Sequence, residues 1–358
     1  MSLEFNHVTL PQRVLFGFGR ASGNLAAEVR RFDAQRVMVI AGERELDLAR
    51  EVAAGIEVAV WHSDVVMHVP VETAEAARDV AQRNEVDLLV CVGGGSTTGL
   101  AKAVALTTGI PIVAVPTTYA GSEATNVWGL TENGRKTTGT DNRVLPASVI
   151  YDSELTLSLP VELSVASGLN GLAHCVDSLW APEADPVNAA MAAEGIRALN
   201  EGLPVIVEDP QSVHGRDLAL YGAYLSAVAF TSAGSGMHHK ICHILGGTFN
   251  LPHAQTHATV LPYVLAFNAP NAPEAEARMA AAFGAPTALE GLQGLRERLD
   301  APTALADYGF TADDLPTAVA LALEAIPDSN PRAVDEGSLT ALLTAALSGD
   351  NPASVQDN

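Results

Sequence analysis

The chain has 358 residues, of which 48% are hydrophobic and 17% charged, as expected for a globular protein with room for two domains. Its 42 acidic and 20 basic side chains give a net charge of −22, which argues against nucleic acid as a partner. No apolar run reaches the roughly 18 residues that a membrane-spanning helix needs, and no secretory signal is visible. The three cysteines form no CxxC pair, which suits a reducing compartment. From the missing signal and spanning segment we expect a cytoplasmic location and no membrane partner.

Short β-branched runs alternate with amphipathic stretches over the first 150 residues. Strands are predicted at residues 36–41, 58–61, 87–92, 111–115 and 147–151. Helices are predicted at residues 21–31, 43–54, 71–84 and 97–108. Continuous apolar strands separated by helices indicate a parallel sheet covered on both faces. We therefore predict a doubly wound, Rossmann-like α/β domain, which binds ligands beyond the carboxyl ends of its strands.

The second half of the chain has a different sequence pattern. Strand-like runs disappear, and segments rich in Ala, Leu and Glu dominate. Helices are predicted at residues 187–200, 217–233, 273–283, 286–299 and 311–326. The sequence therefore predicts two domains: a dinucleotide-binding α/β domain at residues 1–155, and an all-helical substrate and catalytic domain at residues 156–358.

A glycine-rich turn follows the strand at residues 87–92. Gly93, Gly94, Gly95 and Ser96 lead directly into a predicted helix. Glycines let the backbone approach an anion closely, and the start of a helix offers free N–H groups. The spacing is neither GxGxxG nor a Walker loop, and a simple tight turn is the alternative. We predict that these residues bind a cofactor phosphate.

The loop at residues 115–126 also follows a predicted strand, and it is rich in hydroxyl groups. Its hydroxyl side chains are Thr117, Thr118, Tyr119, Ser122 and Thr125. Such groups can hydrogen-bond phosphate, ribose or carboxamide, although a solvated turn has the same composition. By itself the loop is better interpreted as a solvated turn; Thr117, Thr118 and Ser122 are nevertheless its candidates to bind the cofactor, and Tyr119 is its candidate to contact the substrate.

A histidine cluster is the most informative feature of the second half. Residues 238–257 contain five of the chain's ten histidines, namely His238, His239, His243, His253 and His257. Upstream, Asn170 and His174 are four residues apart, so on a helix they share one face, as do His239 and His243. Imidazole titrates near neutral pH and binds transition metals. The spacing predicts a convergent site, with His257 in a structural role.

These motifs together resemble a known family. GGGS followed by AK, PTTYAGSE, the Asn170–His174 segment and HHKICHILGGTFNLPH are similar to the iron-containing alcohol dehydrogenase superfamily, and most of all to its maleylacetate reductase branch. The resemblance runs from about residue 11 to about residue 285. It implies the two-domain plan that this superfamily shares with dehydroquinate synthase.

Two positions depart from the metal-dependent pattern of that superfamily. Asn170 stands where the pattern has an aspartate, while His174, His239 and His253 match its other three ligand positions. A neutral amide binds a divalent ion more weakly than a carboxylate does. We therefore expect a degenerate site from which the metal is absent or only weakly bound. Gly99 stands where metal-dependent relatives have a second acid.

Three further positions bear on the cofactor. Gly42 occupies the place where many NAD-selective folds have an acid for the ribose 2′-hydroxyl, and Arg44 is close enough in sequence to meet a 2′-phosphate. Lys136 matches a family position near the cofactor. We expect NADH and NADPH both to be used.

The resemblance implies NAD(P)H-dependent reduction of the conjugated double bond of maleylacetate, a small dicarboxylate, to 3-oxoadipate in the degradation of aromatic compounds. His243 and His253 are the leading electrophile and proton-donor candidates, and His239 and His174 complete the polar wall. The candidates for holding the substrate are His238, Lys240, Asn170 and Tyr119. The family also suggests a homodimer.

Three alternatives remain open at this stage. A metal-dependent alcohol, polyol or aldehyde dehydrogenase could use the same fold with Asn170 as a tolerated ligand. A dehydroquinate-synthase-like lyase would recycle its NAD within each turnover. A non-catalytic protein that only binds nucleotide is the third alternative, and the intact histidine set makes it the least favoured.

Overall fold

The structure, a computed structural model, describes residues 4–132 and 135–356, and the side chains of Arg135 and Lys136 lie outside its described part. The chain divides into two units. The sheet unit comprises Leu10–Leu159 and Gln211–Leu220, and the helical unit comprises the described parts of Met1–Thr9, Pro160–Pro210 and Tyr221–Asn358. The domain boundary after residue 155 stays a prediction.

A six-stranded sheet forms the centre of the sheet unit. Its strands are β1 (Arg13–Phe16), β2 (Val37–Ile40), β3 (Val60–His62), β4 (Leu88–Gly93), β5 (Ile112–Pro116) and β8 (Ser148–Tyr151). They lie in the order β1-β8-β5-β4-β2-β3, and all the neighbouring pairs are parallel. The predicted parallel sheet is therefore confirmed, and the order reverses direction as in a doubly wound fold.

The connections around this sheet are mostly helical. They are α1 (Ala21–Arg31), α2 (Leu46–Val52), α3 (Val71–Arg83) and α4 (Gly95–Thr108). An antiparallel hairpin of β6 (Val127–Glu132) and β7 (Arg135–Thr140) lies outside the main sheet. Every residue of β2 and β4 is buried, which explains their uninterrupted apolar sequences VMVI and LLVCVG.

The helical unit follows the last strand. Its helices are α5 (Val161–Ser178), α6 (Pro186–Glu208), α7 (Val213–Ala233), α8 (Met237–Phe249), α9 (His253–Asn268), α10 (Pro273–Phe283), α11 (Ala288–Arg298), α12 (Leu315–Ala325) and α13 (Glu336–Ser348). The first residues of α7 belong to the sheet unit. The predicted all-helical second half is confirmed for the described residues.

Helices α5, α8 and α9 carry the histidine cluster and are largely buried. All residues of α5 from Ser164 to Ser178 are buried, and α5 packs against α6, α8 and α9. Met237, Ile241 and Leu245 of α8 pack into an apolar core with Val264 and Phe267 of α9. Polar side chains on these helices are therefore held by a rigid apolar frame. In the described part of the chain, no helix combines the length and apolarity that a membrane crossing requires.

Candidate active site

The glycine turn lies between β4 and α4. Gly93 has a φ of +150°, a conformation that favours glycine, and a Cβ there would lie 2.5 Å from Thr97 Oγ1. Gly94, Gly95 and Ser96 are partly exposed at the start of α4. The turn therefore presents free backbone N–H groups at a helix start, as phosphate binding requires.

The hydroxyl-rich loop lies beside this turn, because Gly93 at the end of β4 is paired with Pro116 at the end of β5. A Cβ added to Gly94 would lie 3.1 Å from Thr118 Cγ2. Ser122 and Thr118 are partly exposed, whereas Thr117 is buried. The structure thus brings the two predicted cofactor loops together at the carboxyl edge of the sheet.

Lys102 of α4 holds the hydroxyl-rich loop in place through hydrogen bonds. Its side chain is fully buried, and Nζ donates to Thr125 O at 2.9 Å, to Thr125 Oγ1 at 2.9 Å and to Val127 O at 2.8 Å. Burial lowers the pKa of Lys102 to about 7, while Glu123 opposes that shift. Lys102 therefore fixes the position of the loop, a role that the sequence motif alone did not indicate.

Tyr119 is also a loop anchor. Its side chain is fully buried, and its hydroxyl accepts a hydrogen bond from Arg216 Nη1 at 3.0 Å. The substrate contact predicted for Tyr119 has no support in this placement, because the described hydroxyl is already engaged inside the sheet unit. Gly99, the position where metal-dependent relatives have an acid, is a separate case: a Cβ added there would lie 3.0 Å from Val69 Cγ2.

The end of β2 holds the residues predicted to recognise the cofactor ribose. Gly42 is partly exposed and Arg44 is exposed. A Cβ at Gly42 would lie 2.6 Å from Glu45 Oε2. The carboxylate of Glu45, three residues later, therefore lies next to the backbone of Gly42. Lys136 lies in β7, and its side chain is outside the described part of the chain.

The histidine cluster is assembled from α5, α8 and α9 of the helical unit. His174 of α5 stacks on His239 of α8, with ring centroids 4.9 Å apart and an interplanar angle of 12°. His257 of α9 lies 4.9 Å from His239 and 4.4 Å from His253, centroid to centroid. Phe230 covers the His174 and His239 rings at 4.8 and 4.2 Å. The predicted convergence of the imidazoles is present, although their roles stay predictions.

His239 is held by a carboxylate. Its Nδ1 lies 2.8 Å from Asp177 Oδ2, and both side chains are almost fully buried. Burial raises the pKa of Asp177 to about 6, and hydrogen bonds from His239 and Gly236 oppose that rise. Burial and the surrounding imidazoles keep the pKa of His239 well below 6.5. His239 is therefore a neutral imidazole at pH 7.

His238 faces away from any exposed surface. It is fully buried, its Nε2 lies 2.9 Å from His257 Nδ1, and Cys242 Sγ lies 3.6 Å from the same nitrogen. The predicted role of His238 in holding a substrate carboxylate has no support here, because the residue is engaged with His257. Lys240 is two residues farther along α8 and is partly exposed, so the two side chains point in different directions.

His238, Cys242 and His257 also form a compact donor group, with one ligand atom of each within 4.8 Å of the others. A soft metal ion could be held by two imidazoles and a thiolate. However, the His238–His257 hydrogen bond occupies both facing nitrogens, and burial raises the pKa of Cys242 well above 9. The group is therefore better described as a hydrogen-bonded dyad beside a neutral thiol.

His243 and His253 are the most accessible imidazoles of the cluster, and both are half-buried. Their ring centroids lie 6.4 Å apart with an interplanar angle of 17°. His243 also lies 6.1 Å from His239. These two rings are therefore the members of the cluster that a small molecule can reach most directly.

Several polar atoms of the cluster are buried without a hydrogen-bond partner among the described residues. They are Asn170 Oδ1, His174 Nδ1, His238 Nδ1, His239 Nε2 and His257 Nε2. Folded proteins rarely leave such atoms unpartnered. Their concentration in one place indicates a site for a bound polar group.

Three of these atoms belong to positions that the family resemblance identifies with metal ligands. Asn170 Oδ1 offers a lone pair to a cation, and His174 Nδ1 and His239 Nε2 do so in the tautomer that carries its proton on the other ring nitrogen. Burial lowers the pKa of His174 to about 4, so its ring is neutral at pH 7, as a ligand must be. The residues therefore fit a divalent ion, although the amide makes the donor set neutral. The expectation of an absent metal has no support from this geometry.

Comparison with known proteins identifies the family. A model of the iron-containing alcohol dehydrogenases matches residues 11–153, and a model of the C-terminal part of the Fe-containing alcohol dehydrogenase family matches residues 164–347. The chain belongs to the iron-containing alcohol dehydrogenase family. It is an oxidoreductase, and the resemblance inferred from the motifs is confirmed.

Individual relatives within the family are similar over nearly their full length. The chain is 45% identical to maleylacetate reductase of Sphingobium indicum over 98% of this chain and 99% of that protein, and 41% identical to maleylacetate reductase 1 of Cupriavidus pinatubonensis over 96% and 97%. Among solved structures, an iron-containing alcohol dehydrogenase from Corynebacterium glutamicum is 69% identical with a TM-score of 0.98, over 99% of this chain and 100% of that chain. Maleylacetate reductase from a Rhizobium species is 43% identical with a TM-score of 0.92, over 98% and 99%.

Proposed function

We propose that the chain reduces the conjugated carbon–carbon double bond of maleylacetate to give 3-oxoadipate, with a reduced nicotinamide cofactor as hydride donor. One observation carries this proposal: the similarity to maleylacetate reductases at 41–45% identity extends over 96–98% of the chain, including the helices that bear the imidazoles. The cluster of buried, unpartnered donor and acceptor atoms supports it, since a polar substrate would satisfy them.

The cofactor is assigned to the sheet unit. The free N–H groups around Gly94, Gly95 and Ser96 suit a diphosphate, and Thr118 and Ser122 supply hydroxyl donors at the same edge. The carboxylate of Glu45 lies next to Gly42, the predicted ribose position, and its charge there would repel a 2′-phosphate. We therefore expect NADH to be preferred, with NADPH tolerated through Arg44.

The chemistry is assigned to the histidines. Hydride adds to the alkene carbon remote from the ketone, the electron pair moves onto the ketone oxygen, and the resulting enolate takes a proton at the adjacent carbon. The half-buried rings of His243 and His253 are the candidates to hydrogen-bond the enolate and to deliver that proton. Lys240 is the candidate for a substrate carboxylate, because it is partly exposed and lies on α8, the helix that carries His243.

A metal ion is compatible with His243 as the proton donor, because His243 is outside the four candidate ligands, and no step requires the ion. When bound, a divalent ion would be held by Asn170, His174, His239 and His253, and it would polarise the ketone oxygen. A conjugated alkene accepts hydride with less such help than an isolated carbonyl does. Because Asn170 is a neutral amide, the four residues are expected to bind a divalent ion weakly.

The proposal is tested by following NADH and NADPH oxidation with maleylacetate, with and without a chelator. Substitution His243→Gln is expected to lower kcat by about 10²-fold, as loss of a general acid does. His214→Gln is the matched control, because His214 is exposed and lies outside the cluster. If the wild type oxidises neither NADH nor NADPH in the presence of maleylacetate, the proposal is refuted.

One alternative function is favoured by the unpartnered donors, namely metal-dependent oxidation of alcohols. It predicts that simple alcohols reduce NAD⁺ after addition of Fe²⁺ or Zn²⁺, and that a chelator abolishes all turnover. Turnover of maleylacetate that survives chelation would exclude it.

We also propose that the chain forms a homodimer through the β1 edge of its sheet. β1 and β3 are the two edge strands, and at the β1 edge Phe16 and the nearby Phe18 are 45% and 44% exposed. An exposed parallel edge with aromatic side chains is well suited to pair with a second copy. Light scattering on the wild type and on a Phe18→Asp variant tests this, because a monomeric wild type contradicts it.

A further inference from the structure

The carboxylate of Asp177 contacts three different parts of its surroundings. Oδ2 lies 2.8 Å from His239 Nδ1, and it accepts hydrogen bonds from the backbone N–H of Gly236 at 2.9 Å and of His239 at 3.3 Å. Oδ1 accepts a hydrogen bond from Trp180 Nε1 at 3.3 Å. Asp177 is fully buried, so these contacts are shielded from water.

This arrangement determines which nitrogen of His239 carries the proton. Two backbone N–H groups already donate to Oδ2, so that oxygen acts as an acceptor, and the imidazole nitrogen facing it must be the donor. The proton of the neutral ring therefore lies on Nδ1. Nε2 is left with a lone pair, and it is the buried atom without a partner among the described residues.

A glycine at position 236 allows the Asp177 carboxylate to approach the backbone closely. A Cβ at Gly236 would lie 2.4 Å from Asp177 Oδ1 and 2.8 Å from Cγ. Any side chain at position 236 would therefore displace the carboxylate from the start of α8. A glycine at this position, immediately before Met237, is what lets one carboxylate reach both the helix start and the imidazole.

We infer that Asp177 is a positioning residue, which fixes His239 as the Nδ1–H tautomer and so presents the Nε2 lone pair to the site as a hydrogen-bond or cation acceptor. The inference deepens the proposed function, on which it rests for the meaning of the site. It assigns different roles within the cluster. His239 Nε2 can only accept a hydrogen bond or bind a cation, so the proton for the enolate must come from another ring. Outer carboxylates of this kind commonly orient imidazoles in metal and catalytic sites.

The direct test is the tautomer itself, read from the ¹⁵N shifts of His239 in the full-length protein labelled at histidine, without substrate. The wild type is expected to show Nδ1 protonated and Nε2 unprotonated at pH 7.5. Asp177→Ala is expected to move the proton to Nε2, whereas Asp177→Asn is expected to keep it on Nδ1 through its amide oxygen. A wild-type ring protonated on Nε2 overturns the inference. Because no substrate is used, this outcome is distinct from failure of the proposed reaction.

A double-mutant cycle separates positioning from a merely structural role, since Asp177 also stabilises the start of α8. Asp177→Ala is expected to lower kcat by about 10-fold or more with little change in KM, and Asp177→Asn to recover most of that loss. In a His239→Gln background, Asp177→Ala is expected to change kcat by less than about 2-fold while still lowering the melting temperature. An equal loss of kcat in both backgrounds means that Asp177 acts only through the helix, and it overturns the inference.

Discussion

Mild acid is expected to destabilise the helical unit steeply, because several of its imidazoles are buried in the neutral form. Burial lowers the pKa of His174 to about 4 and that of His238 to about 3. Burial together with neighbouring imidazoles places the pKa values of His239 and His257 well below 6.5. In the unfolded chain each of these rings titrates near 6.5, so unfolding takes up protons as the pH falls below that value.

The sign and the size of the effect follow from proton linkage. When folding lowers the pKa of a histidine, the free energy of unfolding decreases as the pH falls below the pKa of that histidine in the unfolded chain. At pH 5.5 this decrease is about 1.4 kcal/mol per ring. His174 and His238 together give roughly 2.8 kcal/mol, and His239 and His257 change the free energy in the same direction. The Asp177 pKa is raised to about 6, which has the opposite sign and offsets about 0.8 kcal/mol. The free energy of unfolding should therefore fall by at least about 2 kcal/mol between pH 7.5 and pH 5.5.

Urea unfolding at the two pH values measures this change. Trp180 is the tryptophan of the helical unit, so its fluorescence in a Trp61→Phe, Trp128→Phe background reports on that unit. Chelator is added throughout, since a metal bound by the same rings would add its own pH dependence. His238→Gln should reduce the pH-dependent loss by about 1.4 kcal/mol, and the exposed His214→Gln should leave it unchanged. A free energy of unfolding that is constant from pH 7.5 to 5.5 would refute the reasoning.

Three further predictions concern single side chains. Glu45→Gln should raise kcat/KM for NADPH relative to NADH by about 10-fold, because it removes a charge that repels the 2′-phosphate; an unchanged cofactor ratio places the ribose elsewhere. Lys102→Met should lower the free energy of unfolding of the sheet unit by about 3 kcal/mol in denaturant titration, because three buried oxygens lose their donor; a change below about 1 kcal/mol contradicts this. Asn170→Asp should increase Fe²⁺ or Zn²⁺ content measured by elemental analysis and weaken maleylacetate binding, whereas equal metal content in both proteins would show that the carboxylate is not a ligand.

The sheet could be predicted largely from its apolar runs. β2, β4, β5 and β8 are buried on both faces, so their sequences are apolar except for Ser148, and the predicted bounds agree to within about one residue. β1 was not predicted, because RVLF is four residues long and only partly buried at the edge of the sheet. The β6–β7 hairpin was also not predicted, since its half-exposed first strand has no regular alternation and is followed by the polar RKTTGT.

The candidate site was predictable only as far as local spacing reaches. The four-residue separation of His239 and His243 predicted a shared helix, and both rings do lie on α8. The burial of His238 and its bond to His257 depend on how α8 packs against α9, which no local pattern encodes. Asp177 is 62 residues from His239 in sequence, and only the packing of α5 against α8 brings them together. The available signal was a carboxylate one helical turn beyond His174.

The substitution at position 170 is best understood through the charge of the substrate and not only through the metal. Maleylacetate carries two carboxylates, and hydride addition creates a third negative charge on the enolate oxygen. A carboxylate about 6 Å from one of these charges would cost roughly 3 kcal/mol at an effective dielectric constant near 20. Asn170 avoids that repulsion while keeping a buried oxygen acceptor in the cluster. With His239 fixed as an acceptor by Asp177, the half-buried rings of His243 and His253 are left as the donors that the enolate requires.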